Sequence, residues 1–362
     1  MHWLLMWRLA VPCAAVLLLP AVGSAQNELT EEQLEAAIVD VIRTYRAGAV
    51  DRALDDLAVL VESKRHDAAA QSCMSKFQGP AAWPELEAAL MLYSEAIMRL
   101  WARNDVYPER YGVRFIPTLL RLLAAVKSID SRSPFLRGWY LLWESVRQAY
   151  VERPLPEALD FLDDALRAFP RDGEVQLAAG SRWEVIWAIQ RDNPRIDPRR
   201  SRGPAMPQLL QARNYLERSV TLDAQDPEAR LRLVRVMLEL KDIDDAEKVW
   251  AAGNWTSATP AFAYLARLFE GTIRERQHDT GAAARAYDAA IAIAPQAQSA
   301  RLARSHLAHA SGTRSEAAAF AIEALTSTAP ENDPWWVYSK GLAWRFEGYL
   351  NRLRQVVRPT KQ

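Results

Sequence analysis

The sequence contains little cysteine and little glycine. Its only cysteines are Cys13 and Cys73, and Cys13 lies in an N-terminal apolar run. A chain that loses this run keeps one thiol and cannot form an internal disulfide. The 14 glycines argue against a sheet-rich fold with many tight turns. Lysine plus arginine and aspartate plus glutamate number 45 each, and this balance gives no electrostatic basis for binding nucleic acid.

Catalytic motifs are also missing. The sequence has no glycine-rich phosphate loop, no nucleophile elbow and no CxxC pair. His306 and His309 are three residues apart on a predicted helix and could face the same way, but a metal site needs further ligands that the sequence does not show. We therefore predict no cofactor, no metal site and no enzymatic activity. A metal-dependent protein that uses these two histidines is an alternative.

The N-terminus has the composition of a secretory signal peptide. Arg8 precedes an apolar run from Leu9 to Val22, and the small residues Gly23, Ser24 and Ala25 follow. The run is about 14 residues long, whereas a bilayer span needs roughly 20. We expect cleavage after about Ala25 and an exported protein, periplasmic or secreted, with no transmembrane span after cleavage. The alternative is that the segment stays uncleaved as an anchor.

Small residues recur at a fixed spacing along a chain that is predicted to be helical nearly throughout. From Ala283, the residues Tyr287, Ala290 and Pro295 follow at intervals of 4, 3 and 5. Full or partial copies of this spacing begin at Ala53, Ala158, Ala212, Ala246, Ala283 and Ala317. Ala212 and Ala246 are 34 residues apart, and so are Ala283 and Ala317. Such regularity indicates an internal repeat.

This pattern resembles the tetratricopeptide repeat, a 34-residue helix–turn–helix unit. Small residues let two antiparallel helices cross closely, and proline ends the second helix. In the family's register Gly271 falls at the small position of a first helix. The resemblance implies an all-α fold, a right-handed α-solenoid of antiparallel helix hairpins with a C-terminal capping helix. One hairpin cannot bury its own apolar faces, so neighbouring hairpins have to stack.

The pattern divides the chain into a signal peptide and three regions. The N-terminal helical region carries one hairpin followed by degenerate ones, the central region carries the repeats with a proline- and arginine-rich loop, and the last region is aromatic-rich and predicted to cap the last repeat. In order, these are residues 1–25, 26–136 with a hairpin at 30–64, 137–330 with a loop insertion at 191–207, and 331–362.

The resemblance also implies a binding groove. In the family, defined positions of each first helix line the concave face, and in this sequence one unit contributes Tyr140, Trp143, Arg147 and Tyr150, while another contributes Glu228 and Arg235. Aromatic side chains mixed with arginine are typical of binding hot spots. We take Tyr140, Trp143, Arg147, Tyr150 and Arg235 as candidate groove residues. The alternative is that the aromatic side chains fill the core between hairpins.

A repeat array without catalytic groups favours one function over the others. We expect an exported, non-catalytic scaffold that binds a protein or peptide partner of the cell envelope in its groove. The alternative is a small-ligand-binding accessory protein of an envelope transport system, with the ligand held between hairpins.

Overall fold

The computed structural model describes residues 29–77, 83–102, 108–149, 156–192, 206–327 and 329–358. The predicted signal peptide and most of the predicted loop insertion lie outside these ranges. Within them the chain forms α-helices and short 3-10 turns and contains no β-strand, which confirms the all-α prediction. None of the helices described there is long and apolar enough to cross a membrane.

Two compact units divide the chain, and the first comprises residues 1–135 and 352–362. Its helices are α1 (Glu31–Arg46), α2 (Val50–Val61), α3 (His66–Lys76), α4 (Trp83–Ala102) and α5 (Pro108–Ile129). A capping box starts α1, because the Thr30 hydroxyl accepts a hydrogen bond from the Gln33 N–H while the Gln33 side chain accepts one from the Thr30 N–H. Helix α1 packs against α2, and α4 packs against α5.

The second unit comprises residues 136–351. Its helices are α6 (Pro134–Ala149), α7 (Leu162–Ala168), α8 (Gly173–Asp192), α9 (Met206–Leu222), α10 (Pro227–Glu239), α11 (Ile243–Ala251), α12 (Pro260–Arg276), α13 (Thr280–Ile293), α14 (Ser299–Ala310), α15 (Arg314–Leu325), α16 (Pro334–Tyr338) and the first half of α17 (Phe346–Val357). Helices α8 to α15 pair as four successive hairpins, and each hairpin packs against the next. This arrangement confirms the predicted stack of antiparallel hairpins.

The helices of each hairpin approach closely because the residues at their crossings are small. Ala212, Ala246, Ala283 and Ala290 are completely buried. Gly271 of α12 faces the ring of Tyr287 on α13, and a Cβ at Gly271 would lie 2.3 Å from Cε1 of that tyrosine. The predicted assignment of Gly271 to a small position of a first helix is therefore confirmed in physical terms, since no larger residue fits against this ring.

The repeat copy that begins at Ala158 departs from the prediction. Ala158 is exposed and lies in a 3-10 turn, Glu157–Leu159, and α7 starts only at Leu162. Pro156 is extended and has no N–H to donate, and Asp160 is extended as well, so a continuous helix cannot run through this stretch. The expectation that Ala158 is a buried crossing residue is wrong.

We predict that Gly271→Ala destabilises the protein, because the new methyl group would overlap the buried Tyr287 ring. Overpacking of a core costs about 1–3 kcal/mol. Chemical denaturation followed by circular dichroism measures the loss. The matched control is Gly281→Ala on α13, where the nearest atom to an added Cβ, Nη1 of Arg285, lies 3.6 Å away on a flexible side chain. The control should stay within about 0.5 kcal/mol of the natural protein. Equal stability of the two variants would contradict the close crossing.

Candidate functional site

The first helices of three successive hairpins, α8, α10 and α12, lie side by side in the second unit. We call the surface that they share the first-helix face. Residues 333–349, which we call the C-terminal segment, lie against it: α16 contacts α12, and the 3-10 turn Gly341–Arg345 contacts α8. The sequence predicts a cap on the last hairpin; the structure places the aromatic residues of this region along the first helices.

The C-terminal segment starts at an anchor on the last hairpin. The buried carboxylate of Asp333 accepts hydrogen bonds from the N–H groups of Gln298, at 3.0 Å, and Ser299, at 2.7 Å, at the start of α14. The same side chain accepts from the N–H of Trp335 and so caps α16. One aspartate therefore satisfies the free N–H groups of two helices.

Aromatic rings and arginines make up the next part of the contact. The ring centroids of Trp335 and Tyr338 lie 6.1 Å and 5.7 Å from that of Phe269 on α12. The guanidinium of Arg232 lies 4.4 Å from the ring centroid of Tyr338, and that of Arg235 lies 4.8 Å from the centroid of Trp335. Both arginines belong to α10, so α10 presents cations to the aromatic rings of the segment.

Arg232 is completely buried, and its guanidinium contacts both the first-helix face and the C-terminal segment. Within the first-helix face it pairs with Glu228, at 2.7 Å, and with Glu184 of α8, at 2.8 Å. Toward the segment it donates hydrogen bonds to the backbone carbonyls of Tyr338, at 3.1 Å, and Gly341, at 2.9 Å. A buried charge is tolerated only when it is paired and hydrogen-bonded, and Arg232 meets both conditions.

A second arginine, Arg345, comes from the segment. It lies 2.7 Å from Glu228, 3.0 Å from Glu174 and 3.5 Å from Asp226. Nearby, the Trp344 indole N–H donates to Glu228 and the Tyr349 hydroxyl donates to Glu174. The carboxylates of the face thus form a pocket for one cation with aromatic residues on both sides of it.

Burial and neighbouring charges together shift the pKa values of Glu228 and Tyr338. Burial by itself raises the pKa of the Glu228 carboxyl, but the charges of Arg232 and Arg345 outweigh burial and leave that pKa below its usual value. Burial, reinforced by the nearby Glu184 carboxylate, raises the pKa of Tyr338 well above its usual value. At neutral pH Glu228 is therefore charged and Tyr338 is neutral.

A tight backbone approach closes the segment onto α6. The Gln148 side chain accepts from the N–H of Leu342 at 2.7 Å. Gly341 has φ +69°, and a Cβ there would lie 2.1 Å from the Gln148 side-chain oxygen. Only glycine combines this backbone conformation with this approach. The segment is thus fitted to the helices beneath it at backbone level.

The structure separates the predicted groove residues. Tyr140 and Trp143 are buried, and their rings pack against Phe169 and Phe161, as the core-filling alternative predicts, so they present no surface to a partner in this structure. The Arg147 guanidinium lies 3.6 Å from the Asp160 carboxylate. Tyr150 lies outside the described residues. Arg235 contacts the C-terminal segment, at the rings of Trp335 and Tyr338.

Sequence reasoning missed three residues that form the site: Glu184, Arg232 and Arg345. One signal was available, because Glu228, Arg232 and Arg235 are spaced i, i+4 and i+7 and so share one face of α10. Because α10 lies between two other helices, a row of charged residues along it indicates that other charged or polar groups of the protein pair with them. No sequence pattern identifies that partner as residues more than a hundred positions away.

The two histidines that were considered as metal ligands lie elsewhere, on α14. Nδ1 of His306 is 3.1 Å from the Glu275 carboxylate of α12. In the part of the chain that the structure describes, no group of three or more histidine, cysteine or acidic side chains is placed to hold a metal ion.

Comparisons with known proteins relate this architecture to a family. Residues 208–268 match the family model described as "Tetratricopeptide repeat". No curated protein matches the chain. Among solved structures, MamA MSR-1 C2 is similar with 18% identity and a TM-score of 0.36, covering 52% of this chain and 95% of that one. The APC/C hetero-tetramer Cut9–Hcn1 is similar with 13% identity and a TM-score of 0.35, covering 90% of this chain and 73% of that one.

The family match spans α9 to the middle of α12, the region in which the predicted interval of 34 residues occurs. It contains Ala212 and Ala246, two of the completely buried residues at the helix crossings. Residues 208–268 of the chain therefore carry the tetratricopeptide repeat pattern.

Proposed function

We propose that this protein is an exported, non-catalytic scaffold that binds a protein or peptide partner of the cell envelope on its first-helix face. One observation carries the proposal: the face already holds a peptide segment, through hydrogen bonds to backbone carbonyls, an arginine among carboxylates, and aromatic rings. These are the contacts by which proteins recognise peptides. Repeats of this family also suggest interaction with other proteins.

Two features of the face support binding over catalysis. Its carboxylates pair with arginines, as Glu184 does with Arg235 at 2.7 Å, so these charges are engaged in holding neighbouring first helices together. Its arginines are fixed by these pairs before any partner is added. A surface that is ordered in advance loses less conformational entropy on binding.

Site-specific photo-crosslinking tests where a partner binds. Phe262 on α12 packs against Trp344 at a centroid distance of 6.0 Å, whereas Phe320 on α15 packs against Arg304. Both phenylalanines are half-buried, so each accepts benzoylphenylalanine with a similar disturbance. We expect irradiation of living cells to give an adduct of one defined mass from position 262 and none from the control position 320. Equal adducts from both positions, or an adduct from 320 alone, would contradict binding at the first-helix face.

Export is the part of the proposal that rests on residues 1–25. We expect the chain, expressed with its natural N-terminus in a secreting host, to yield a mature protein that starts at about Gln26, measured by intact mass. Leu18→Arg places a charge in the apolar run and should block cleavage, because a signal peptide needs an apolar core. Leu29→Arg, beyond the predicted cut, is the control and should leave cleavage intact. A mature chain that keeps residues 1–25 in the membrane fraction would support the anchor alternative instead.

Small-ligand binding remains the second candidate. The observation that favours it is a surface cleft of about 400 Å³ lined by polar side chains, among them Arg171, Asn214, Glu217 and Arg218. Ligand pockets have volumes of about 300–1,000 Å³. Native mass spectrometry of the purified protein decides between the candidates: a retained small molecule that is lost in Asn214→Leu supports this function, and an unliganded mass counts against it.

A further inference from the structure

We propose that the C-terminal segment is a displaceable internal ligand, and that the partner segment which replaces it has the same chemistry: an arginine with aromatic side chains on both sides. This inference rests on the proposed function and specifies the partner. Three observations support it: the way the segment is folded, the charges that it meets, and the pairs that remain in the face without it.

The segment takes its conformation from the face. Before the start of α17 its regular elements are the five-residue helix α16 and the five-residue 3-10 turn Gly341–Arg345, and isolated helices of this length are unstable in water. Its backbone carbonyls at Tyr338 and Gly341 are held by Arg232 of the face. Trp336 and Trp344 stay 45% and 43% exposed. Tyr338, Leu342 and Tyr349 are buried instead, so the segment contacts the face with some of its large side chains and leaves others in solvent, as a bound peptide does.

The charges define what the face accepts. Glu174, Asp226 and Glu228 all lie within 3.5 Å of the Arg345 guanidinium, and this cluster of three carboxylates favours a cation. Arginine suits the cluster better than lysine because its planar fork can contact several carboxylates at once. The rings of Trp335 and Tyr338 meet Arg235 and Arg232. A partner therefore needs one arginine for the carboxylates and aromatic rings for the arginines of the face.

The face keeps its own pairs when the segment leaves. Glu228 and Glu184 remain paired with Arg232, and Glu184 with Arg235, all on α8 and α10. These charges also regain water on release, which offsets part of the lost contact energy, whereas an exposed apolar core would gain nothing from water. The receptor surface is thus present before a partner arrives, and the attached segment competes with the partner at a high effective concentration.

The test uses the full chain and a labelled synthetic peptide with the sequence of residues 331–351. In the release variant, Tyr338→Ala and Arg345→Ala remove two side chains of the segment that contact the face. In the control variant, Trp336→Ala and Lys340→Ala remove one aromatic and one cation that are exposed. Because a competing internal ligand reduces apparent affinity by the fraction of open protein, we expect the release variant to bind the peptide at least about tenfold more tightly than the natural chain or the control, measured by fluorescence anisotropy.

Two further measurements keep the proposal falsifiable if the release variant loses helicity. A peptide in which the arginine corresponding to Arg345 is replaced by glutamate should bind at least about tenfold more weakly. In the natural chain, hydrogen exchange of residues 333–349 should accelerate when an isotope-labelled peptide is added, since the segment leaves the face. Unchanged affinity in a well-folded release variant, unchanged exchange, or equal binding of the charge-reversed peptide would each overturn the proposal. A dimer that forms on segment release, detected by light scattering, would make a second copy the occupant and overturn it as well.

The outcomes distinguish the two proposals from each other. If the peptide fails to bind while position 262 still crosslinks to a partner in cells, the inference about partner chemistry fails and the proposed function stands. If the peptide binds but no partner adduct forms at position 262, the face is a self-binding surface only and the proposed function fails.

Discussion

The interaction of Arg232 with its surroundings is the constraint on which the second unit depends. This guanidinium is fully buried between Glu228 on its own helix and Glu184 on α8, and it also holds two backbone carbonyls of the C-terminal segment. A buried arginine without such partners would cost several kcal/mol. Two first helices and the C-terminal segment meet at this one guanidinium. Neighbouring first helices and the C-terminal segment share a single charge centre.

That centre can form because the hairpins pack at a regular, close distance. Ala212, Ala246 and Ala283 are completely buried, and Gly271 admits the ring of Tyr287. Close crossings within each hairpin leave the first helices free to align along one surface, and α10 lies between α8 and α12. The geometry of the repeat thus supplies the platform, whereas the charged stripe on α10 supplies the chemistry.

The relation between the segment and the face has a consequence for how a binding protein of this kind behaves. The C-terminal segment covers the arginines and carboxylates of the face, so unsuitable partners cannot bind to them. A competitor replaces the segment only if it makes matching contacts with the same charges. The rings of Trp336 and Trp344 stay exposed to solvent while the segment lies on the face. The apparent affinity for a partner is then set by the difference between the free energy of binding the partner and the free energy of binding the attached segment.

The sequence by itself determined the helices, their pairing and the residues at their crossings, because a repeat of 34 residues with small residues at fixed places has one efficient packing solution. The family register placed Arg235 on a first helix, which is α10. The tertiary structure alone decided that Tyr140 and Trp143 fill a core, that Ala158 lies in an exposed turn after Pro156, and that residues 333–349 lie along the first helices. The local spacing of apolar and small residues predicts which residues become helical and which face of each helix is buried. They do not record which distant charges pair, since the match of Arg345 with Glu174 and Glu228 depends on distances that exist only once the chain is folded.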